Sequence, residues 1–184
     1  MIALILLVVL VLVVLWVIGA YNALIGLKNM VVNAWKQIDV QLKRRHDLIP
    51  NLVNSVKGAM DFERSTLEAV ISARTRAVSA TGVQQTARAE GELSQALGRL
   101  FALTEAYPDL KATGNVAQLQ EELTSTENKI GFARQHYNDV ATQYNTKQAT
   151  FPTLLMAGLA KAAPAELWEI TDDTERATPT VKLS

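Results

Sequence analysis

The apolar residues of the chain follow two patterns. The first 18 residues, Met1–Ile18, include no polar side chain. After Tyr21, apolar residues instead recur every three or four positions among polar ones, which is the spacing of one face of an α-helix. We find no run that alternates apolar and polar residues beside Asn-Gly or Asp-Gly turns, as hairpin strands would. The pattern therefore predicts an all-α protein with a distinct N-terminal segment.

The N-terminal apolar run is long enough to cross a bilayer. At about 1.5 Å per residue, a helix over Met1–Ile18 reaches roughly 27 Å, close to the thickness of the hydrocarbon layer. Only Asn22 interrupts the apolar character before Lys28, so we expect the membrane helix to continue to Leu27. A cleaved signal peptide would have a cationic start and a shorter apolar stretch, and a buried core helix is the other alternative. Three residues are predicted to lie at the membrane interface: Trp16, Tyr21 and Lys28.

The charges beside this segment predict its orientation. Its N-terminal side carries only the α-amino group, whereas its C-terminal side carries Lys28 and Lys36, with no acid before Asp39. Cytoplasmic flanks of membrane helices are enriched in Lys and Arg. The cytoplasmic side is therefore favoured for the rest of the chain, with the exported side as the alternative.

The chain after the anchor predicts four helices, of which the first two meet near Pro50. The first continues from the membrane, and we expect it to end near His46, where the chain reverses. Asp47 would cap the second helix, which would have Pro50 in its first turn and end at Ala80-Thr81-Gly82. The alternative is one continuous helix kinked at Pro50. The inward face of the first helix has 4-3-4 spacing: Val31, Trp35, Ile38 and Leu42.

The fourth helix has the clearest pattern. It is predicted over 115–149, with Asn115 as its cap, Pro108 in the preceding break and Phe151-Pro152 beyond its end. Short connections favour antiparallel neighbours. The expected fold is thus an N-terminal transmembrane helix that continues into an antiparallel up-down four-helix bundle with long coiled-coil-like helices. Its seam has 4-3-4-3-4-3-4 spacing: Leu119, Leu123, Thr126, Ile130, Ala133, Tyr137, Val140 and Tyr144. The predicted domains are an anchor (1–27), a bundle (28–156) and a mostly irregular tail (157–184).

Composition and motifs argue against several function classes. The 18 basic and 18 acidic residues give no net charge, which disfavours nucleic-acid binding. The sequence lacks cysteine, a phosphate-binding loop, a dinucleotide fingerprint and paired Glu-x-x-His motifs. His46 and His136 stand alone and are interpreted as surface or cap residues. We therefore predict no catalytic residue, no metal ligand and no cofactor.

Two polar features remain. The Lys43–Arg45 cluster is interpreted as compensating the C-terminus of the first helix, and contact with anionic lipid or phosphate is the alternative. A polar stripe flanks the seam of the fourth helix, and two residues of the second helix could face it. This set is either solvated surface, a buried network that fixes helix register, or, least favoured, a ligand site. Its members are Glu63, Arg74, Glu127, Arg134, Asn138 and Asn145.

Several long strings resemble the bacterial LemA family. They are "YNALIGLKNMVVNAWKQIDVQLKRRHDLIPNLVNSVKG", "EAYPDLKA" and "LQEELTSTENKIGFARQHYND", and the resemblance covers about residues 20–155. It implies a single-pass protein of the bacterial plasma membrane with an antiparallel helical bundle and no known enzymatic activity. One branch of the family resembles proteins of magnetosome membranes. After "VKG" the family usually has an aromatic residue and a His-Glu pair, where this chain has "AMDFE".

These observations predict a non-enzymatic membrane scaffold. Its partners would be the lipid bilayer and further copies of the chain, and the scaffold would organise or shape the membrane. The alternative is a membrane-tethered adapter that recruits a protein partner, a protease or an envelope-stress factor, through the bundle or the tail.

Overall fold

A computed structural model describes residues 1–57, 63–107 and 114–169 of the chain. Within these ranges the protein is helical and has no strand, which confirms the predicted all-α class. Four of the helices are long and the fifth is a single turn. They are α1 (Ile2–Lys57), α2 (Arg64–Ser79), α3 (Gly82–Glu105), α4 (Gly114–Ala149) and α5 (Leu154–Ala157).

The first helix does not reverse at His46. α1 continues through Pro50 to Lys57, so the predicted reversal is wrong and the continuous alternative holds. Asp47 caps no helix; it lies inside α1, where its carboxylate accepts a hydrogen bond of 2.9 Å from Lys43. The alternative holds only across Pro50, because α1 ends at Lys57 and α2 is a separate helix, whereas one rod would have continued to residue 80. The helix continues past His46 because residues beyond Leu42 keep the same three- and four-residue spacing of inward positions. The buried positions that extend it are Arg45, Ile49, Leu52 and Val56.

The chain divides into two compact units. The first contains Met1–Val40 and Gly131–Leu167, and the second contains Gln41–Ile130 with Trp168 and Glu169. Each unit has its own buried apolar residues, because α1 and α4 contribute different stretches to each.

The second unit is a bundle of antiparallel helices. Thr104 of α3 accepts a hydrogen bond from Gln120 of α4, and Ser94 donates one to Glu127. The pair with the lower residue number in α3 has the higher residue number in α4, so the two helices run in opposite directions. The core of this unit takes residues from all four long helices. Its fully buried members include Ile49, Leu52, Val56, Val70, Leu93 and Leu100.

In the first unit, the chain after α4 packs against α1 just beyond the apolar run of that helix. Leu24, Tyr144 and Ala160 form its buried cluster. Leu24 is also the first buried residue of α1. The segment after α5 therefore returns to α1 at the point where that helix first has protein neighbours.

The inward seam predicted for α4 is confirmed. Leu123, Thr126, Ile130, Tyr137, Val140 and Tyr144 are buried, while Leu119 and Ala133 are half-buried. The predicted cap at Asn115 is wrong, because α4 already begins at Gly114. The predictions about Pro108, about the "AMD" that follows Gly58 and about the tail from residue 170 fall outside the described residues.

Two glycines of α3 should respond oppositely to alanine. Gly82 follows the turn after α2 with a φ of 77°, a conformation that costs an L-residue about 1–2 kcal/mol. Gly91 lies inside α3 with open space where a Cβ would go. We expect Gly82→Ala to lower the free energy of unfolding by about 1–2 kcal/mol and Gly91→Ala to raise it by about 0.5–1 kcal/mol. Chemical denaturation checks this, and equal shifts of the two variants would contradict it.

Candidate functional site

The start of α1 is a candidate membrane segment. Among the described residues, α1 is the one helix long and apolar enough to cross a bilayer, judged by length and composition, and none of its apolar window is buried. A core helix would be mostly buried, so that alternative does not fit. The three residues predicted for the membrane interface, Trp16, Tyr21 and Lys28, are all solvent-exposed.

The second unit contains a buried ionic cluster around Arg45, which we call the Arg45 cluster. It consists of Arg45 and His46 from α1, Glu90 and Ser94 from α3, and Glu127 from α4. The side chains of Arg45 and Glu90 are 2% and 4% exposed, respectively, whereas that of Glu127 is 46% exposed. The cluster thus joins three helices from the inside of the bundle to its surface.

The guanidinium of Arg45 bridges two carboxylates. Its Nη2 donates to Glu90 Oε2 and its Nη1 to Glu127 Oε2. Nη1 also donates to Ser94 Oγ at 3.0 Å, and His46 Nε2 lies 2.7 Å from Glu90 Oε1. Both oxygens of the buried Glu90 carboxylate therefore have partners, which a buried charge requires.

This arrangement fits a structural role better than chemistry. The carboxylates that could act as acid, base or ligand are engaged by Arg45. In the described part of the chain, no group of three or more His, Asp or Glu side chains is placed to hold a metal ion. A slip of α1 or α3 along its axis would separate the buried pair of Arg45 and Glu90, which is costly for charges removed from water.

Arg45 and His46 correct the sequence interpretation. The Lys43–Arg45 cluster was expected to lie at a helix C-terminus, but α1 continues, and Arg45 points inward while Lys43 and Arg44 are exposed. His46 was expected at the surface and is instead mostly buried against Glu90. His136 is exposed, as predicted.

The sequence contained a signal for the residues that were missed. Arg45 lies three residues after Leu42 and four before Ile49, and Glu90 lies three residues before Leu93. Both charges therefore occupy positions in phase with buried apolar residues. A single arginine and a single glutamate on the inward faces of two adjacent helices indicate a buried pair.

Arg74 explains how α1 continues across Pro50. A proline inside a helix has no N–H, so the carbonyl four residues earlier loses its partner. That carbonyl belongs to His46, and Arg74 Nε of α2 donates to it at 2.7 Å. A side chain of the neighbouring helix thus replaces the missing backbone hydrogen bond.

The other residues of the predicted polar network lie in different places. Glu63 precedes α2 and is half-buried, whereas Arg134, Asn138 and Asn145 belong to the first unit. Asn145 binds both backbone groups of Ala165: its Nδ2 donates to the carbonyl and its Oδ1 accepts from the amide, each at 2.8 Å. Asn145 therefore fixes the returning segment to α4.

Tyr137 also binds this returning segment. Its hydroxyl donates to the Glu166 carbonyl at 2.7 Å, and its ring meets Trp35 edge-on, with 5.5 Å between centroids. Burial and, to a smaller extent, the charge of Glu166 raise the pKa of Tyr137 above its usual value of 10.0. Burial likewise raises the pKa of Tyr144.

Alkaline pH should weaken this contact. Because the pKa of Tyr137 is higher in the folded chain, the folded state holds its proton more tightly, so stability is present below about pH 10 and falls as pH rises above it. We expect Tyr137→Phe to be less stable than the wild type near neutral pH, and this gap to narrow above pH 10. Thermal unfolding of both proteins in mild detergent, below and above pH 10, measures this difference in stability. A constant gap would contradict the assignment.

Comparison with known proteins agrees with the strings described above. The model of the LemA family matches residues 34–183. The chain belongs to the LemA family. It is 31% identical over 142 residues to the protein LemA of Metamycoplasma hominis, an alignment that covers 76% of this chain and 64% of that relative.

Magnetosome proteins are more distant relatives of this LemA-family chain. Identity to magnetosome protein MamQ 2 of Paramagnetospirillum magneticum is 24%, over 81% of this chain and 64% of the relative. For magnetosome protein MamQ of Magnetospirillum gryphiswaldense it is 23%, over 72% of this chain and 58% of the relative. The chain thus spans slightly less than two thirds of the length of these relatives, none of whose names denotes an enzyme.

Proposed function

We propose that the protein is a non-enzymatic scaffold that is anchored in a bacterial plasma membrane and self-associates to organise or shape it. The observation that carries the proposal is that the exposed apolar start and the core face Ile49–Val56 belong to one helix, α1. The anchor and the bundle therefore share a helix, with no linker between them. The similarity to magnetosome proteins supports a role at membranes.

Exposed apolar side chains support self-association. Ile71 and Val78 lie seven residues apart in α2, on one face, and are 48% and 56% exposed. Two large apolar groups on one exposed helix face offer a small contact surface, and copies held in one bilayer have a high effective concentration for weak contacts.

The mass of the purified full-length protein in mild detergent tests self-association. A scaffold forms large homo-oligomers from the purified chain alone, and electron microscopy of the particles shows whether they curve. Particles with one chain in the full-length sample would contradict the scaffold and favour the adapter.

A double variant tests whether α2 provides the contact. Ile71→Lys with Val78→Lys should then reduce the size of the oligomer. Lys129→Ala, a change on the exposed surface of α4, is the matched control.

The side of the membrane is tested with cysteine labelling. The chain has no cysteine, so Phe132→Cys provides a unique exposed thiol. The positive-inside rule predicts that a membrane-impermeant maleimide labels it only after the cells are opened. Labelling of intact spheroplasts would show that the bundle is exported.

A further inference from the structure

A group of exposed apolar side chains lies beyond the end of α4. Phe151, Leu154, Leu155 and Leu159 are 79%, 52%, 60% and 71% exposed, respectively. We call these four residues the α5 patch. The backbone between them is ordered by local hydrogen bonds, such as Leu154 N to Thr150 O and Ala160 N to Met156 O, both 2.9 Å. The patch is thus a folded surface that leaves its largest apolar side chains uncovered.

The α5 patch lies beside the end of the apolar run of α1. Ala160, the residue after the patch, packs with Leu24 of α1 and Tyr144 of α4. Leu24 follows Ile18, the end of the apolar run, by six residues, which is about 9 Å along a helix. If roughly 20 residues from Ile2 span the hydrocarbon, a shorter span than the anchor of 1–27 expected from the sequence, Leu24 lies in the headgroup layer. The patch is therefore held at the depth where interfacial segments bury apolar side chains.

The charges around the patch suit a membrane surface. The sequence has no acidic residue from Val140 to Ala165. Lys147 and Lys161 lie on either side of the patch, and both are exposed. Cations beside apolar groups are typical of segments that bind anionic lipids, because they interact with headgroups while the apolar side chains enter the acyl region.

Three contacts hold this part of the chain in place. Asn145 binds both backbone groups of Ala165, and Tyr137 binds the carbonyl of Glu166. Thr153, between Phe151 and Leu154, is buried. The returning segment is thus fixed to α4, and the patch keeps its place near Leu24.

We propose that the α5 patch inserts into the interfacial layer of the same bilayer that holds α1, as a second membrane contact of the chain. The proposal rests on the proposed anchoring by α1. With two contacts, the membrane fixes the tilt and rotation of the first unit, which one transmembrane helix leaves free. The occupant of the patch is lipid, rather than a second copy of the chain.

The test places an environment-sensitive fluorophore on single cysteines of the full-length protein in anionic vesicles that contain nitroxide lipids. Leu155→Cys and Leu159→Cys report on the patch, Val9→Cys reports on the anchor, and Phe132→Cys is the matched control, an equally exposed apolar position of α4. For both patch labels we expect a blue-shifted emission and a loss of intensity with shallow nitroxides, because interfacial segments bury their apolar side chains at that depth. The label at residue 132 should remain unquenched.

Each outcome has a distinct meaning. A quenched label at residue 9 with unquenched, water-exposed labels at 155 and 159 would overturn the second contact and leave the anchor in place. A label at residue 9 that no nitroxide quenches would contradict the proposed anchoring itself. The remaining outcome is that the patch labels are shielded from water, that nitroxide lipids do not quench them, and that the shielding increases with the protein-to-lipid ratio. This result would show that a second copy covers the patch, and it would overturn the proposal.

Discussion

Arg45→Ala should lower the free energy of unfolding of the second unit by about 3–5 kcal/mol, because it leaves the buried Glu90 carboxylate without its cation. Arg44→Ala is the matched control from the same helix. Its side chain is 51% exposed and 3.7 Å from Glu122, and exposed pairs contribute about 0–1 kcal/mol. Chemical denaturation of both variants gives the difference, and equal losses would contradict a buried cluster.

A second variant separates the cost of an unpaired charge from the net contribution of the pair. Arg45→Met with Glu90→Leu removes both buried charges and keeps similar volume. Such replacements are often neutral or stabilising, so we expect the double variant to regain most of the stability lost in Arg45→Ala. If it remains equally unstable, the ionic pair itself stabilises the fold, beyond avoiding an isolated charge.

Arg74→Ala should cost about 1.5–3 kcal/mol, the range for hydrogen bonds that involve a charged group. The cause is the His46 carbonyl, which Pro50 leaves without a backbone donor. In a Pro50→Ala background the amide of residue 50 is available to that carbonyl, so the loss of Arg74 should cost less. We expect a coupling energy of about 1–2 kcal/mol in a double-mutant cycle.

The matched control for this cycle is Arg76→Ala. Arg76 also lies in α2, and it forms an exposed pair with Glu92 at 2.8 Å. Its removal should cost less than about 1 kcal/mol and should not depend on residue 50. The opposite result is that Arg74→Ala costs the same whether residue 50 is proline or alanine. That result would show that Arg74 does not act through the His46 carbonyl.

The seam spacing predicted most of the fold but not the path of α1. In α4, the buried positions follow the 4-3 spacing from Leu123 to Tyr144. This spacing identifies the apolar face of the helix, and the apolar face is the one that is buried. At Pro50, local preferences and the seam disagreed: Asp47 and the proline resemble a helix start, whereas Ile49, Leu52 and Val56 continue the phase of Leu42. The structure follows the seam because burial of three apolar side chains outweighs one missing N–H, which Arg74 replaces.

The contacts of the site were less predictable than the helices. The sequence places Glu127 in a polar stripe next to the seam, but a first helix that ends near His46 puts its partner Arg45 at a helix C-terminus instead of inside the bundle. The bonds of Asn145 to Ala165 depend on how the chain turns after α5. No periodic pattern encodes that turn, so only the structure shows which side chains it brings to α4.

The order of synthesis gives the continuous helix a further consequence. Ile49, Leu52 and Val56 leave the ribosome roughly 70 residues before Leu123, their core neighbour in α4, which corresponds to about 4–14 seconds at cellular rates of elongation. During that interval α2 and α3 can already cover part of this face, and the part that α4 will cover remains exposed apolar surface, of the kind that makes folding intermediates prone to aggregate. The core of the second unit is therefore completed only when α4 has emerged, long after its first residues are made.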